Sequence, residues 1–137
     1  MTNTMLALSF IQISQTMALP PGLLSAVCYV ESNHKITAIN HKDGKHPAAT
    51  TSYGICQIKK ETAASVGFKG TAKKLQDPIT NMYWAAKFLK FQLKRYGGDP
   101  RKAVAAYNAG AYRVNQKGLI KNRKYVGKVF TAWARYK

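Results

Sequence analysis

The feature that most constrains this chain is a short apolar segment, Leu23–Ser32, that carries an acid near its end. Its apolar residues recur at helical spacing and form a stripe that consists of Leu23, Leu24, Val27 and Val30. Glu31 lies four residues after Val27, so a helix here places a carboxylate at the edge of that stripe. The Pro-Pro-Gly run at residues 20–22 predicts the start of this helix, because proline is tolerated at the first helical position.

A carboxylate beside an apolar stripe has two interpretations. Desolvation disfavours the charged form and raises the pKa of a carboxyl group, which suits a general acid that works near neutral pH. Alternatively, Glu31 ends a short helix and is simply solvated. The segment alone leaves both interpretations open.

Helical periodicity recurs along the rest of the chain. We predict helices at residues 4–18, 60–66, 78–96, 100–109 and 123–135. Asp77-Pro78 and Asp99-Pro100 each combine an N-cap with proline at the first helical position, and Gly110 is suited to a left-handed cap. Leu8 and Ile11 widen the apolar face of the first helix, which we expect to pack against Leu23–Ser32 as a hairpin. With 137 residues and 46% apolar content, the prediction is one mainly all-α domain spanning residues 1–137.

Residues 33–52 are rich in polar and turn-forming residues and predict a long loop. His34, His41 and His46 lie in or beside it, but they lack the spacing and partners of a zinc site, so we expect exposed histidines, no metal and no cofactor. In the following run, Gly54 suits close approach of the backbone to a ligand, and Gln57 offers a donor and an acceptor.

Cys28 and Cys56 match no metal motif. Two free buried thiols are the default expectation, and a bridge is the alternative if the fold brings them together.

The charge distribution is strongly asymmetric. The chain has 22 Lys and Arg residues against five acids, and residues 100–137 contain ten of these cations without an acid. Such a surface attracts polyanions, although it also serves as a solubilising coat. Met5–Ile13 is apolar but too short to span a bilayer, and it lacks the flanking features of a signal peptide.

Several short motifs follow one another in a specific order. They are Glu31-Ser32, Ser52-Tyr53-Gly54-Ile55-Cys56-Gln57-Ile58, Asp77-Pro78 with Asn81, Ala106-Tyr107-Asn108-Ala109-Gly110, and Tyr125-Val126. This order resembles the catalytic domain of the soluble lytic transglycosylases, glycoside hydrolase family 23, which is related to goose-type lysozyme. The resemblance covers almost the whole chain and implies a lysozyme-like single domain with a substrate cleft.

The resemblance also implies a chemistry and a set of site residues. The substrate would be the bond between N-acetylmuramic acid and N-acetylglucosamine in peptidoglycan, and Glu31 would be the only acid and base, with 1,6-anhydro ends as the product. The substrate-binding positions implied are Gln57, Tyr107, Asn108, Tyr125, Ser52 and Asn40. Tyr125 would orient Glu31, Asn40 would replace a substrate-binding serine, and Ser32 would be structural. Cys56 replaces a methionine of the family, which predicts an altered subsite wall.

Two alternatives stay open. One is a hydrolytic muramidase in which Asp43 activates water, since ordinary glycosidases use two carboxylates. The other is a non-catalytic basic module that binds the envelope through residues 100–137. We expect a monomer that binds peptidoglycan strands and the anionic envelope, and no nucleic acid. The sequence pattern further suggests a phage lysin, or a component of a virion or secretion machine, made in the bacterial cytoplasm and released to the wall, for example through a holin.

Overall fold

A computed structural model of the protein describes residues 1–41 and 51–136. Within these ranges the chain forms six α-helices and a small three-stranded antiparallel sheet. The helices are α1 (Asn3–Thr16), α2 (Leu23–Ser32), α3 (Lys60–Ser65), α4 (Pro78–Arg95), α5 (Pro100–Ala109) and α6 (Arg123–Ala134). The strands are β1 (Ile39–His41), β2 (Thr51–Tyr53) and β3 (Ile58–Lys59). All six predicted helices are confirmed, and none of those described is long and apolar enough to cross a membrane.

The helix boundaries follow side-chain capping. Asp77 accepts a hydrogen bond from the backbone N–H of Thr80 at 2.9 Å, and Asp99 caps α5 in the same way. Gly110 ends α5 with φ 84°, as predicted. α2 begins at Leu23, as predicted, but its N-cap is Gly22 with φ 80°, so neither proline occupies the first helical position. A Cβ at Gly22 would also collide with the Tyr136 side chain. Both the left-handed backbone and the lack of space therefore favour glycine at this position.

The sheet was not predicted. In it Asn40 pairs with Ser52, and Ser52 pairs with Lys59, so residues 39–41 and 51–52 of the predicted 33–52 loop form strands. Two or three residues per strand are too few for an alternating pattern to be visible in the sequence. Residues 42–50, which include Asp43 and His46, lie outside the described residues.

The two described histidines behave differently from each other. His41 is exposed, as predicted, and contacts the Thr51 hydroxyl at 2.8 Å. His34 is half-buried, so the expectation of an exposed side chain was wrong for it. Its ring lies 5.1 Å from that of Phe10, and its Nε2 lies 2.8 Å from the carbonyl oxygen of Ser25.

Helix α2 lies at the centre of the core. Its first six residues, 23–28, are buried, and the helix packs most extensively against α6. α1 contacts α2, as the predicted hairpin requires, but it also packs across α4. Leu8 and Ile11 are 60% and 55% exposed, so they do not widen the buried face of α1 as predicted.

A disulfide joins Cys28 of α2 to Cys56 in the turn between β2 and β3. The default expectation of two free thiols was therefore wrong, because the fold brings the two Cα atoms within 4.2 Å of each other. Both cysteines are fully buried. The Cys56 side chain consequently faces the core. It does not line the cleft described below, so it does not alter the wall there as predicted.

Replacing both cysteines, Cys28→Ala with Cys56→Ala, is expected to lower the free energy of unfolding. The bridge spans 28 residues of sequence, and closing a loop of that length contributes about 3.5 kcal/mol in the chain-entropy treatment. Equilibrium urea denaturation measures the change. The matched control is the reduced wild-type protein, which should unfold near the midpoint of the double variant, and an unchanged midpoint in both would contradict the expectation.

Candidate active site

A cleft of about 180 Å³ opens where α2, the sheet, α3, α4 and α5 meet. It is lined by Glu31, Ser52, Gln57, Ile58, Lys59, Thr62, Phe88, Tyr107, Asn108, Ala109 and Gly110. Five of the predicted site residues are therefore brought together in one place. The other two, Tyr125 and Asn40, do not line the cleft themselves. Tyr125 contacts Glu31 and Asn40 pairs with Ser52, and both of these partners line it.

Glu31 lies in the last turn of α2 and is half-buried. The hydroxyl of Tyr125, from α6, donates a hydrogen bond to Oε2 of Glu31 at 2.7 Å. Tyr125 is the third residue of α6, the helix that packs along α2, and this packing brings the two side chains together across 94 residues of sequence. A hydrogen bond to a carboxylate is stronger than one between neutral groups, so it restricts the orientation of the Glu31 side chain.

Burial and the charge of Glu31 raise the pKa values of two tyrosines, Tyr107 and Tyr125. Burial, and then the negative charge of Glu31, raise the pKa of Tyr107 well above its ordinary value. Burial also raises the pKa of Tyr125, followed by the charge of Glu31 and the hydrogen bond to it. Both hydroxyls therefore stay protonated at neutral pH and remain donors. The Tyr107 hydroxyl donates to the carbonyl oxygen of Cys56 at 2.9 Å, so its ring forms the cleft wall while its proton is used by the backbone.

Gln57 has a left-handed backbone, with φ 51°, at the end of the turn that follows β2. Its side-chain Nε2 donates to the carbonyl oxygens of Ala38 and Gly54, at 3.2 and 3.0 Å. An amide nitrogen carries two hydrogens, and both are used here. Gln57 therefore presents its oxygen, a hydrogen-bond acceptor, to the cleft.

The close backbone approach that we predicted at Gly54 is made to another part of the protein. Gly54 has φ 76°, and a Cβ there would collide with the side-chain amide of Asn81. Asn81 is fully buried; its Nδ2 donates to the carbonyls of Tyr53 and Leu75, and its Oδ1 accepts from the N–H of Cys56 at 2.9 Å. The glycine thus makes room for a buried amide that holds the turn, and Gly54 itself does not line the cleft.

Asn108, at the end of α5, is exposed and lines the cleft. Its Oδ1 accepts a hydrogen bond at 3.0 Å from Nδ2 of Asn122, which also donates to the carbonyl oxygen of Ala105. Asn108 is therefore left with its side-chain N–H groups as donors toward the cleft. Asn122, which precedes α6, was not predicted as a site residue, and no sequence spacing relates it to Asn108.

Asn40 is exposed in β1 and does not line the cleft. Directly paired residues of antiparallel strands project from the same face of a sheet. The pairing therefore places Asn40 in one row with Ser52 and Lys59, both of which line the cleft. Substrate binding by Asn40 stays a prediction.

Six residues of the cleft wall were not predicted as site residues. Ile58, Ala109 and Gly110 belong to the motifs quoted above, whereas Lys59, Thr62 and Phe88 belong to none of them. Phe88 is buried on α4, and its ring packs against that of Tyr107, 5.5 Å away. Among the described residues, Glu31 supplies the only carboxylate that lines the cleft. The arrangement offers one orientated acid, one amide acceptor and one amide donor around a space sized for a small polar group.

The chain is similar in sequence to a known family and to several known proteins. Residues 9–128 match the family described as Transglycosylase SLT domain. An X polypeptide of Escherichia coli is 28% identical over 112 residues, covering 80% of this chain and 63% of the relative. The X polypeptide of strain K12 is 31% identical over 104 residues, covering 72% and 59%. A peptidoglycan-binding-like protein of Escherichia coli O157:H7 is 28% identical over 120 residues, covering 84% and 70%.

The chain spans only 63% and 59% of the lengths of these two X polypeptides. Among solved structures, an inactive mutant of the lytic transglycosylase Slt from Pseudomonas aeruginosa superimposes with a TM-score of 0.72 at 21% identity. The alignment covers 93% of this chain and 23% of that one. The predicted mainly helical, lysozyme-like fold is confirmed.

The raised pKa values of the two site tyrosines predict a specific dependence of stability on pH. Above about pH 10 a tyrosine ionises in the unfolded chain but not in the folded one, so stability is full below that pH and falls as the pH rises. Tyr125→Phe removes one such group and should make the decline shallower by about 1 kcal/mol per pH unit.

Urea denaturation between pH 9 and about pH 11 measures this slope. The matched control is Tyr83→Phe, since the Tyr83 side chain is exposed on α4 and lies outside the cleft. Identical slopes for Tyr125→Phe, the control and the wild type would contradict the expectation.

Proposed function

The chain belongs to the transglycosylase SLT domain family, and on that premise we propose that it is a peptidoglycan lytic transglycosylase. Its substrate would be the β-1,4 bond between N-acetylmuramic acid and N-acetylglucosamine. The observation that carries the proposal is the placement of Glu31, half-buried in the cleft and hydrogen-bonded by Tyr125. No second carboxylate lines the cleft within residues 1–41 and 51–136.

A single carboxylate suffices when the substrate supplies its own nucleophile. Ordinary glycosidases need a second carboxylate, either to attack the sugar or to activate water. In the proposed reaction, protonated Glu31 first donates its proton to the glycosidic oxygen. The bond between that oxygen and the anomeric carbon breaks, and N-acetylglucosamine leaves with the proton as its 4-hydroxyl.

The second proton transfer returns Glu31 to its starting state. The Glu31 carboxylate takes the proton of the muramic acid 6-hydroxyl while that oxygen bonds to the anomeric carbon. The product is a 1,6-anhydro sugar, and no water is consumed. Tyr125 would hold the carboxylate in line for both steps, since its neutral hydroxyl stays a donor throughout.

The remaining cleft residues would bind the sugar. An acetamido group has one N–H and one carbonyl oxygen, which complement the Gln57 oxygen and the Asn108 side-chain N–H groups. Tyr107 would form the wall behind the ring. Ser52 and Asn40 would lie along the rim of the cleft, on one face of the sheet.

The disulfide and the charge support a place of action at the cell wall. Disulfides persist in oxidising compartments and are rare in the cytoplasm, so the Cys28–Cys56 bridge favours work outside it. Eight cations at positions 100–136 are exposed and would attract an anionic envelope. We extend the proposal to a monomer that reaches the wall after release from the cytoplasm, through a holin or as part of a virion or secretion machine.

Glu31→Gln is expected to abolish cleavage of purified peptidoglycan, because the amide can neither donate nor accept the transferred proton. A loss of at least about 1,000-fold corresponds to roughly 4 kcal/mol of barrier. Mass spectrometry of the wild-type digest should show fragments lighter by one water than hydrolysis products. The matched control is Glu61→Gln, an exposed acid of α3 outside the cleft, which should digest walls at the wild-type rate.

Two results would overturn this proposal. Full-mass products with reducing ends would indicate a hydrolytic muramidase, in which Asp43 would be tested as the second acid. A Glu31→Gln variant that keeps the whole biological effect would indicate a non-catalytic envelope binder.

The charge proposal predicts that wall binding depends on salt. Binding of the inactive Glu31→Gln variant to insoluble peptidoglycan should weaken strongly between low salt and about 0.5 M salt, because screening shortens the reach of the exposed cations. Co-sedimentation measures the bound fraction. Binding to chitin, a related but uncharged polymer, is the control and should change little, and salt-independent binding to peptidoglycan would contradict the proposal.

A further inference from the structure

Glu31 lines two depressions of the surface, of which the proposed reaction uses one. The second, which we call the α2–α6 groove, has a volume of about 760 Å³ and runs between the last turn of α2 and one side of α6. Its walls are Tyr29, Ser32 and Asn33 on one side and Lys128, Thr131 and Arg135 on the other. The acid thus lies where the cleft and the groove meet.

The α6 wall of the groove follows from helical spacing. Lys128 and Arg135 lie three and ten residues after Tyr125, which places all three on one side of the helix. Because Tyr125 contacts Glu31, Lys128 and Arg135 lie at increasing distance from the level of the acid along the helix axis. Gly127 leaves this wall open, since a Cβ there would meet no atom within 4 Å.

The chemistry of the groove differs from that of the cleft. Lys128 and Arg135 are exposed, and Tyr29 adds an aromatic ring that is 39% exposed. Apart from Glu31 at its inner end, no carboxylate of the described residues lines the groove. Two cations beside an aromatic ring suit a ligand that carries carboxylates on a partly apolar chain, and the guanidinium of arginine binds a carboxylate through two parallel hydrogen bonds.

We propose that the α2–α6 groove binds the peptide stem attached to the muramic acid next to the cleaved bond, with Lys128 and Arg135 on its carboxylates. The inference rests on the proposed function, because it takes peptidoglycan as the substrate. The stem leaves the sugar beside the reacting bond, where Glu31 lies. The sugars in the cleft are neutral, whereas the stem carries the carboxylates that these cations complement.

The length of the groove agrees with this occupant. Along α6 the rise of 1.5 Å per residue places Lys128 about 4.5 Å and Arg135 about 15 Å beyond the level of Tyr125. An extended peptide of four residues spans about 13 Å. A stem that starts near Glu31 therefore extends along the groove as far as the second cation.

The test compares two substrates and two double variants. Lys128→Gln with Arg135→Gln removes both groove cations, and Lys121→Gln with Lys124→Gln removes two exposed cations outside the groove. The substrates are glycan strands with intact stems and the same strands after an amidase has removed the stems. We expect kcat/KM of the groove variant to fall about fivefold on stem-bearing strands, as for two partly exposed charge pairs, and to stay unchanged on stem-free strands. The control variant loses the same amount of charge, so its kcat/KM on stem-bearing strands measures the effect of the overall field and should fall clearly less than that of the groove variant.

Retained activity of the groove variant on stem-free strands also shows that it is folded. An equal loss on both substrates would mean that the cations act on the glycan or through their overall field, and would overturn the inference. No loss on either substrate would overturn it as well, whether the groove holds another ligand or none.

A binding measurement separates this inference from the proposed function. A free stem tetrapeptide, titrated by calorimetry, should bind the Glu31→Gln variant more tightly than the same variant without Lys128 and Arg135. If the wild type cleaves neither substrate, the proposed function fails while this measurement still tests the groove. Equal peptide binding by the two proteins, or none by either, would overturn the groove assignment alone.

Discussion

One residue, Cys56, is held by three helices through three different groups. Its sulfur is bonded to Cys28 of α2, its N–H donates to Asn81 of α4, and its carbonyl oxygen accepts from Tyr107 of α5. Each contact fixes a different direction, so the turn that contains Cys56 has little freedom to shift. The next residue, Gln57, lines the cleft. Its position relative to the three helices is therefore fixed by the buried contacts of Cys56.

The same turn also determines where the acid lies. Glu31 and Ser32 follow Cys28 by three and four residues, on the same side of α2. The Ser32 hydroxyl donates to the carbonyl oxygen of Ile55, next to Cys56, as its predicted structural role requires. Two contacts, the disulfide and the Ser32 hydrogen bond, thus join α2 to the turn, and Glu31 and Gln57 line the same cleft beside them. Geometry of this kind has to be held within about half an ångström for proton transfer, which a buried cross-link and satisfied hydrogen bonds achieve.

The elements that sequence reasoning predicted are those with local causes. The starts of α4 and α5 follow from the side chains of Asp77 and Asp99, which act within three residues. The pairing of β1 with β2, the disulfide and the contact of His34 with Ser25 depend on partners 9 to 28 residues away, and no local pattern encodes them. The site divides in the same way. Glu31 and the residues grouped with it were found through motifs, whereas the roles of Asn81 and Asn122 depend on which distant carbonyls and amides the fold places beside them.

The buried stripe of helix α6 sets the positions of both Tyr125 and Lys128. Val126, Val129 and Trp133 are buried at spacings of three and four, and the Trp133 indole donates to the carbonyl oxygen of Pro21 at 2.8 Å, which fixes the rotation of the helix. That rotation directs Tyr125 toward Glu31, and it turns Lys128 outward along the same flank. A change in the buried stripe would therefore move the hydroxyl and the cation together. The contact of Tyr125 with the acid and the position of Lys128 on the groove are therefore two consequences of how one helix packs.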